Sequence, residues 1–352
     1  MLIAFLSFVV VLMVVVLAHE AGHFFTARAF GVKVLEFGIG FPPRLISFMR
    51  KGTRYSLNAI PLGGFVKMAG EEDPDVEGSL ASKRPLPRII VLAAGSAMNF
   101  LLPVLLFSIA FIVPHQVFSG EVVIEAVGQG SPAAIAGIEP GDKVVAINGL
   151  EMNNNQDVQR QVLLYLGKPM TLTMLKNGGA EAAVSLTPRW RPPEGEGATG
   201  ITIATQNGQV NEVSVPFWDA IPRGIGECID TYVLFKNVII SMFIGTVPVV
   251  LSGPVGIAQI SGEAARAGLS SLLEFTAFFS VNLAIINIFP LPALDGGRIV
   301  FVLLEWVGRG RRVSPRAEGL IHMAGFVLLM GVALLITYQD ILRIIAGEAL
   351  GQ

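Results

Sequence analysis

One cysteine, Cys228, occurs in the 352 residues, which excludes an intramolecular disulfide framework and any zinc or iron–sulfur site built from several thiolates. Histidine is nearly as scarce, at four. A bound metal must therefore draw on those few imidazoles and on carboxylates. Charge is thin as well: 15% of the residues are Asp, Glu, Lys or Arg, against about 25% in an ordinary soluble domain. With 25 Lys+Arg against 27 Asp+Glu the net charge is −2, so the extended basic footprint that nucleic-acid binding needs is missing. What the chain has in its place is apolar. It is 52% hydrophobic with a mean hydropathy of +0.63, which puts much of it in lipid.

From Leu2 to Ala18 only Ser7 interrupts an apolar run that continues through Phe24 and Phe25, enough for a span of about 20 residues. No basic stretch precedes it, and the place where a cleavage site would fall runs into His19-Glu20-Ala21-Gly22-His23. It reads as a retained transmembrane helix and not as a secretory signal. Further spans are expected at 88–113, at 272–294 with a continuation over 299–307, and at 320–337, four in all. A fifth apolar stretch, 232–251, carries Lys236 and Pro248 and reads better as an amphipathic interfacial helix. The loop before the last span holds Arg309, Arg311, Arg312 and Arg316, and the connection from Lys33 to Arg88 is rich in Lys and Arg. Both loops are therefore expected in the cytoplasm, with the termini and the segment 115–270 outside.

Within the outer segment the pattern changes to short strand-like runs, such as Val122-Val123-Ile124 and Leu172-Thr173-Met174-Leu175, punctuated by Gly, Asn and Asp. The string from Gly130 to Gly149 orders a short helix, a Pro140-Gly141-Asp142 turn, a strand and an Asn148-Gly149 turn. It resembles the PDZ modules of bacterial proteases, which bind peptides by adding a strand to a sheet edge. A scaffold or size filter that binds no peptide is the alternative.

His19-Glu20-Ala21-Gly22-His23 is an H-E-x-x-H pattern. On a helix its two histidines lie one turn apart on one face, so both imidazoles reach a single metal ion. Each ionisable group near a bilayer centre costs about 2.5–3.5 kcal/mol on insertion scales, so three together call for a compensating function. A catalytic zinc uses three protein ligands and leaves a fourth position to water. His115, His322 and Asp295 are the candidates for the third. Asp295 is preferred, because Pro290, Pro292, Gly296 and Gly297 break the helix around it and let its carboxylate turn into the bundle. Pairing with Arg298, or capping of the following helix, is the competing role for Asp295.

The apolar H-E-x-x-H helix, the segment from Asn287 to Gly296 (Asn-Ile-Phe-Pro-Leu-Pro-Ala-Leu-Asp-Gly) and the PDZ-like string between them resemble the site-2 protease family of intramembrane zinc metalloproteases. Order and motifs are similar to the bacterial regulator of sigma-E protease branch, with one PDZ module where well-known members carry two. The resemblance implies zinc ligands at His19, His23 and Asp295, catalysis by Glu20, and substrate contacts from Asn287 with Asn282 in support. The strand-prone, Gly-broken segment 55–66 resembles the family's membrane-reentrant β element; with Asn58, Gly63 and Gly64 in it, an exposed edge over 57–60 is expected to hold an unwound substrate.

The expected fold is a polytopic α-helical membrane protein of about four transmembrane helices with a membrane-reentrant β element and one extracytoplasmic β-rich PDZ domain. Its expected parts are the first half of the membrane core (1–114), the PDZ domain (115–190), a linker with an amphipathic membrane-associated region (191–270), and the second half of the core (271–352). The expected function is that of a Zn2+-dependent membrane metalloendopeptidase of the inner or plasma membrane, with its active site near the cytoplasmic side. It would cut transmembrane segments of single-span proteins, such as anti-sigma factors or remnant signal peptides, with the lipid bilayer and a peptide C-terminus at the PDZ domain as its other partners. A metal transporter or sensor would explain the ligands but not the Glu after the first His, and a dead scaffold would not need an intact ligand set.

Overall fold

The computed structural model describes residues 2–71, 73–247 and 252–346. In chain order its first elements are α1 (Leu2–Ala29), β1 (Val34–Arg50), β2 (Thr53–Met68), α2 (Pro85–Ile112), β3 (His115–Val127), α3 (Pro132–Ile135), β4 (Lys143–Ile147), β5 (Leu150–Glu151) and α4 (Asn155–Leu164). There follow β6 (Met170–Leu175), β7 (Glu181–Leu186), β8 (Ile201–Val213), α5 (Phe217–Phe243), α6 (Pro254–Ala267), α7 (Leu269–Ile288), α8 (Asp295–Val307) and α9 (Pro315–Ala346). Two compact units result: Met1–Phe111 with Phe217–Ile225 and Val250–Gln352, and Ile112–Pro216 with Gly226–Val249.

In the first unit, α1, α2, α7 and α9 are long and apolar enough to cross a membrane, and they match the four spans read from the sequence. α5 is not among them. The stretch expected to lie at the interface falls on its second half, and residues 248–251 lie outside the described residues. α1 stops where Gly31 takes φ +67° and the Val32 N–H turns back to Ala27 O at 2.8 Å, a left-handed glycine cap. Helices approach closely where a side chain is missing. A methyl group on Gly22 of α1 would stand 2.3 Å from Ala94 O of α2, and one on Gly262 of α6 would stand 2.6 Å from the Ala4 side chain. Polar ties then fix the contacts in a medium that offers no water. Ser280 Oγ of α7 donates to Asn99 O of α2 at 3.0 Å, and the Gly256 N–H at the start of α6 donates to the buried Asp340 carboxylate of α9 at 2.8 Å.

β1 and β2 are each bent, β1 at Gly40 (φ +76°) and the Pro42-Pro43 pair, β2 at Gly63 (φ +105°). The two strands thus fold into a sheet of four segments, ordered 44–50, 53–58, 34–39 and 64–68. Leu57 pairs with Ile46 on one side and Ile39 on the other. Leu57 of the expected edge is therefore internal, a correction to the sequence reading, while Ile60 pairs with Phe41 on one side. The bends, which alternation does not reveal, turn one hairpin into four segments of one sheet, and the segment with a helix and not a strand at its outer side is 64–68.

The second unit is a sheet in the order β7-β6-β4-β3-β8 with β5 paired to β4. Its inner face is set by alternation: Val122, Ile124, Ile147, Met170, Leu172 and Met174 are fully buried together. Ser131 Oγ accepts the Ala134 N–H to start α3, and Asn148 and Gly149, at φ +50° and +80°, make the β4–β5 turn. The unit runs beyond residue 190, because β8 pairs with β3 from His115↔Val213 to Val127↔Ile201. Part of the expected linker also folds into it: Asn237 Nδ2 of α5 donates to Leu163 O (2.7 Å) and Leu164 O (3.2 Å) at the end of α4.

The Pro140-Gly141-Asp142 turn is held by its aspartate. Asp142 accepts from the N–H groups of Glu139 (2.9 Å) and Asn177 (3.2 Å) and from Lys176 Nζ (2.8 Å). Burial pushes its carboxyl up, but the Lys176 ammonium and the two backbone donors outweigh this and hold it below the ordinary value of 3.8. Because the folded pKa lies below the unfolded one, this contribution is present at neutral pH and is lost as pH falls below 3.8 through the folded value. Asp142→Asn is expected to destabilise this unit by about 2 kcal/mol at neutral pH. Hydrogen exchange of the β4 and β6 amides at neutral and at acid pH measures it, and the difference from wild type is expected to vanish in acid.

Candidate metal centre

The H-E-x-x-H segment lies within a single helix, α1, with His19 and His23 buried on one face. Gly22 lets α2 close against that face, and Gly95 of α2 lies flat over the two rings. A methyl group there would stand 2.4 Å from His23 Nε2 and 2.6 Å from His19 Nε2. The third group arrives on the break between α7 and α8. Ala293 takes φ +76°, and Gly296 and Gly297 pack so tightly that added methyl groups would meet Phe289 O at 2.1 Å and Leu291 O at 2.3 Å. Gly325 of α9 closes on Pro292, and the Ala293 N–H donates to His322 Nδ1 at 2.9 Å. Asp295 is thereby fixed at the first turn of α8.

His19 Nε2 lies 2.9 Å from Asp295 Oδ2, His23 Nε2 3.2 Å from the same oxygen, and the two Nε2 atoms are 3.1 Å apart. These three are the one group of His, Cys, Asp or Glu side chains among the described residues that converges as a metal-ligand set. Ligand atoms on a tetrahedral zinc, with bonds of about 2.0–2.1 Å, sit roughly 3.3 Å apart, so the spacing fits. The tautomers fit too. Val91 O of α2 faces His23 Nδ1 at 2.8 Å, so Nδ1 carries the proton and Nε2 presents its lone pair inward. Asn99 Nδ2 is 3.4 Å from His19 Nδ1 while Asn99 Oδ1 is buried without a partner. With the Asn99 amide turned so that its oxygen faces His19, both are satisfied: Oδ1 accepts the His19 Nδ1 proton and Nε2 is again free for metal.

Glu20 follows the first ligand and is half-buried. The 64–68 segment lies beside it: a methyl on Gly64 would be 3.9 Å from Glu20 Cγ, and the Val66 backbone comes within hydrogen-bonding reach of the carboxylate. Gly63 packs against Val16 of the same helix. Asn58 is elsewhere in the sheet, buried, with Nδ2 donating to Gly40 O at 3.0 Å and Ile39 O at 3.3 Å, so it braces the β1 bend. The Asn287 side chain, half-buried on the last turn of α7, makes no hydrogen bond among the described residues, whereas Asn282 Nδ2 donates within its own helix to Phe278 O at 2.8 Å. His115 stands in the other unit, its Nδ1 on Val113 O at 2.9 Å. Arg298 pairs with Glu71 and so leaves Asp295 to the histidines.

Gly95, Asn99 and Val91 are not among the site residues expected from the sequence, and His322 is a candidate there only as a ligand. A signal was present for the first two, since Gly95 and Asn99 are four apart and share a helix face; their orientation toward α1 was not in it.

The site is that of a metal-dependent hydrolase inside a helical membrane bundle. The model of peptidase family M50 matches residues 7–332, and the chain belongs to that family, the site-2 proteases. Zinc metalloprotease RasP of Geobacillus kaustophilus is 30% identical over 96% of this chain and 97% of its own length, and that of Shouchella clausii 28% over 96% and 99%. A chain from Clostridium perfringens is 35% identical over 93% of this chain and 95% of its own. The protein is a multi-pass membrane zinc metalloendopeptidase.

Gly95→Ala is expected to abolish stoichiometric zinc retention without unfolding the bundle, as read by metal analysis beside a thermal melt. Asn99→Ala removes the group that orients His19 and is expected to weaken zinc binding about 10–100-fold, with Asn99→Asp retaining it; competition against a graded series of chelators measures both.

Proposed function

We propose that the protein is an intramembrane endopeptidase that cuts transmembrane segments of single-span proteins or remnant signal peptides after an earlier cut outside the membrane. The observation that carries this reading is the convergence of His19 and His23, on a helix long enough to span and beside Glu20, with Asp295 at the start of α8. His19, His23 and Asp295 would hold a zinc ion, which when bound would supply Lewis-acid activation of water and of a carbonyl. Glu20 beside them would act as general base toward water and as general acid toward the leaving amine. A helical substrate hides its carbonyls in its own hydrogen bonds, so cleavage needs an unwound, extended stretch. The 64–68 segment next to Glu20 supports a role in holding that stretch by strand addition, with Gly63 and Gly64 allowing close approach and the unpartnered Asn287 amide binding substrate backbone.

The accompanying proposal for the parts is a membrane core made of two halves, a reentrant β element that includes 55–66, and a PDZ-like module outside that filters substrates or takes a peptide C-terminus. The basic loops around Arg50 and Arg311 favour a cytoplasmic site.

Glu20→Gln is expected to lower cleavage of a tagged single-span substrate at least 100-fold with one zinc per chain retained, and a chelator is expected to stop the wild type. Cleavage persisting in zinc-loaded Glu20→Gln would remove Glu20 from the reaction. Val66→Pro, which deletes one N–H on the segment facing Glu20, is expected to reduce cleavage with zinc content unchanged, and an unaltered rate would rule out strand addition there.

A further inference from the structure

Past the last turn of α1 a cavity of about 200 Å³ is lined by Arg28, Val32, Lys33, Val34, Lys51, Gly52 and Thr53. Three of its walls are cations and none is an acid. Arg28, Lys33 and Lys51 enter no ion pair among the described residues, although Arg44 and Arg298 elsewhere in the unit are each matched to a glutamate. Lys83 adds a fourth positive charge, its Nζ 3.6 Å from where a methyl on Gly31 would stand. The remaining lining is fixed: Thr53 is buried and its Oγ1 donates to Val34 O at 2.9 Å, and Val32 and Val34 are buried. Such a cavity lacks an anion and has room for a tetrahedral one.

Its place in the fold says which. It closes one end of a helix long enough to span a membrane. One turn back along α1, an apolar cavity of about 390 Å³ is lined by Phe24, Phe25, Phe37, Ile46, Phe48 and Tyr55. Phe25, Leu45, Ile46, Phe48 and Met49 are exposed, as suits groups that face acyl chains and not water. Basic side chains at the end of a span, next to an exposed apolar surface, are the complement of an anionic phospholipid.

We propose that this cavity binds the phosphate of an anionic lipid headgroup, with an acyl chain of the same lipid in the aromatic groove. The headgroup bridges Arg28 of α1 to Lys51 in the β1–β2 turn and so ties the sheet to the helix that carries His19, Glu20 and His23.

The test uses the full-length zinc-loaded protein in phosphatidylcholine nanodiscs doped with a minor fraction of phosphatidylglycerol, with retained lipid read by native mass spectrometry. Wild type is expected to keep one phosphatidylglycerol in preference to phosphatidylcholine. Lys33→Gln with Lys51→Gln is expected to lower that preference by roughly fivefold per lysine, about 25-fold for the pair, while Lys33→Arg with Lys51→Arg retains it. Zinc content reports that the double variant is folded. An unchanged preference in the Gln pair would overturn the site, leaving those charges to orient the chain only. Displacement of the lipid by millimolar inorganic phosphate would overturn the lipid assignment in favour of a free phosphate.

Discussion

Two imidazoles and two carboxylates held inside an apolar helical bundle are the constraint on which the membrane unit depends. Each is costly in lipid unless it is paired or ligates a cation. The site lowers that cost by convergence: three donor atoms lie within about one ligand spacing of each other, and the outward nitrogens of both histidines face α2. Convergence in turn demands that helices approach more closely than side chains normally permit. Gly22 and Gly95 meet that demand between α1 and α2, and Gly296, Gly297 and Gly325 meet it around the α7–α8 break. The glycines are thus part of the metal site although none carries a ligand.

The break itself follows from the same requirement. A carboxylate on a continuous helix would project at an angle set by the helix axis alone, and its backbone would leave no freedom to adjust. Pro290 and Pro292 stop α7, Ala293 takes a left-handed conformation, and α8 restarts with Asp295 in its first turn. Irregular backbone at this depth is tolerated only where protein covers it. His322 and Gly325 from α9 provide the cover, the one accepting the Ala293 N–H and the other admitting Pro292.

What could be read in advance divides along the range of the signal. The four spans, the pair of histidines at i and i+4, and the aspartate between prolines and glycines are local patterns whose chemistry is contained in a few neighbouring residues; the structure has four helices long enough to span and brings the three side chains together. The Ser131 cap and the Asn148-Gly149 turn were legible for the same reason. Residues whose meaning depends on a distant partner were not. Asn99 looked like one more small polar group in a span until His19, 80 positions earlier, was found beside it. β8 was assigned to a linker because a strand of Thr, Gln, Asn and Gly has a weak pattern, and only its pairing with β3 makes it part of the sheet.

The β1–β2 sheet carries the same lesson furthest. A strand-prone run with glycines at 63 and 64 suggested an open edge at 57–60, yet Leu57 there is enclosed by both arms of β1. Buried backbone polar groups must be paired, and doubling each strand back on itself does this for the segments 53–58 and 34–39 without recruiting other elements. The cost of that solution is that open backbone remains on the outermost segments alone. One of these, 44–50, carries exposed apolar side chains, while the other, 64–68, ends up against the helix that bears Glu20. Satisfaction of the interior thus determines where the sheet keeps its unspent hydrogen-bonding capacity, and at 64–68 that place is beside the Glu20 carboxylate.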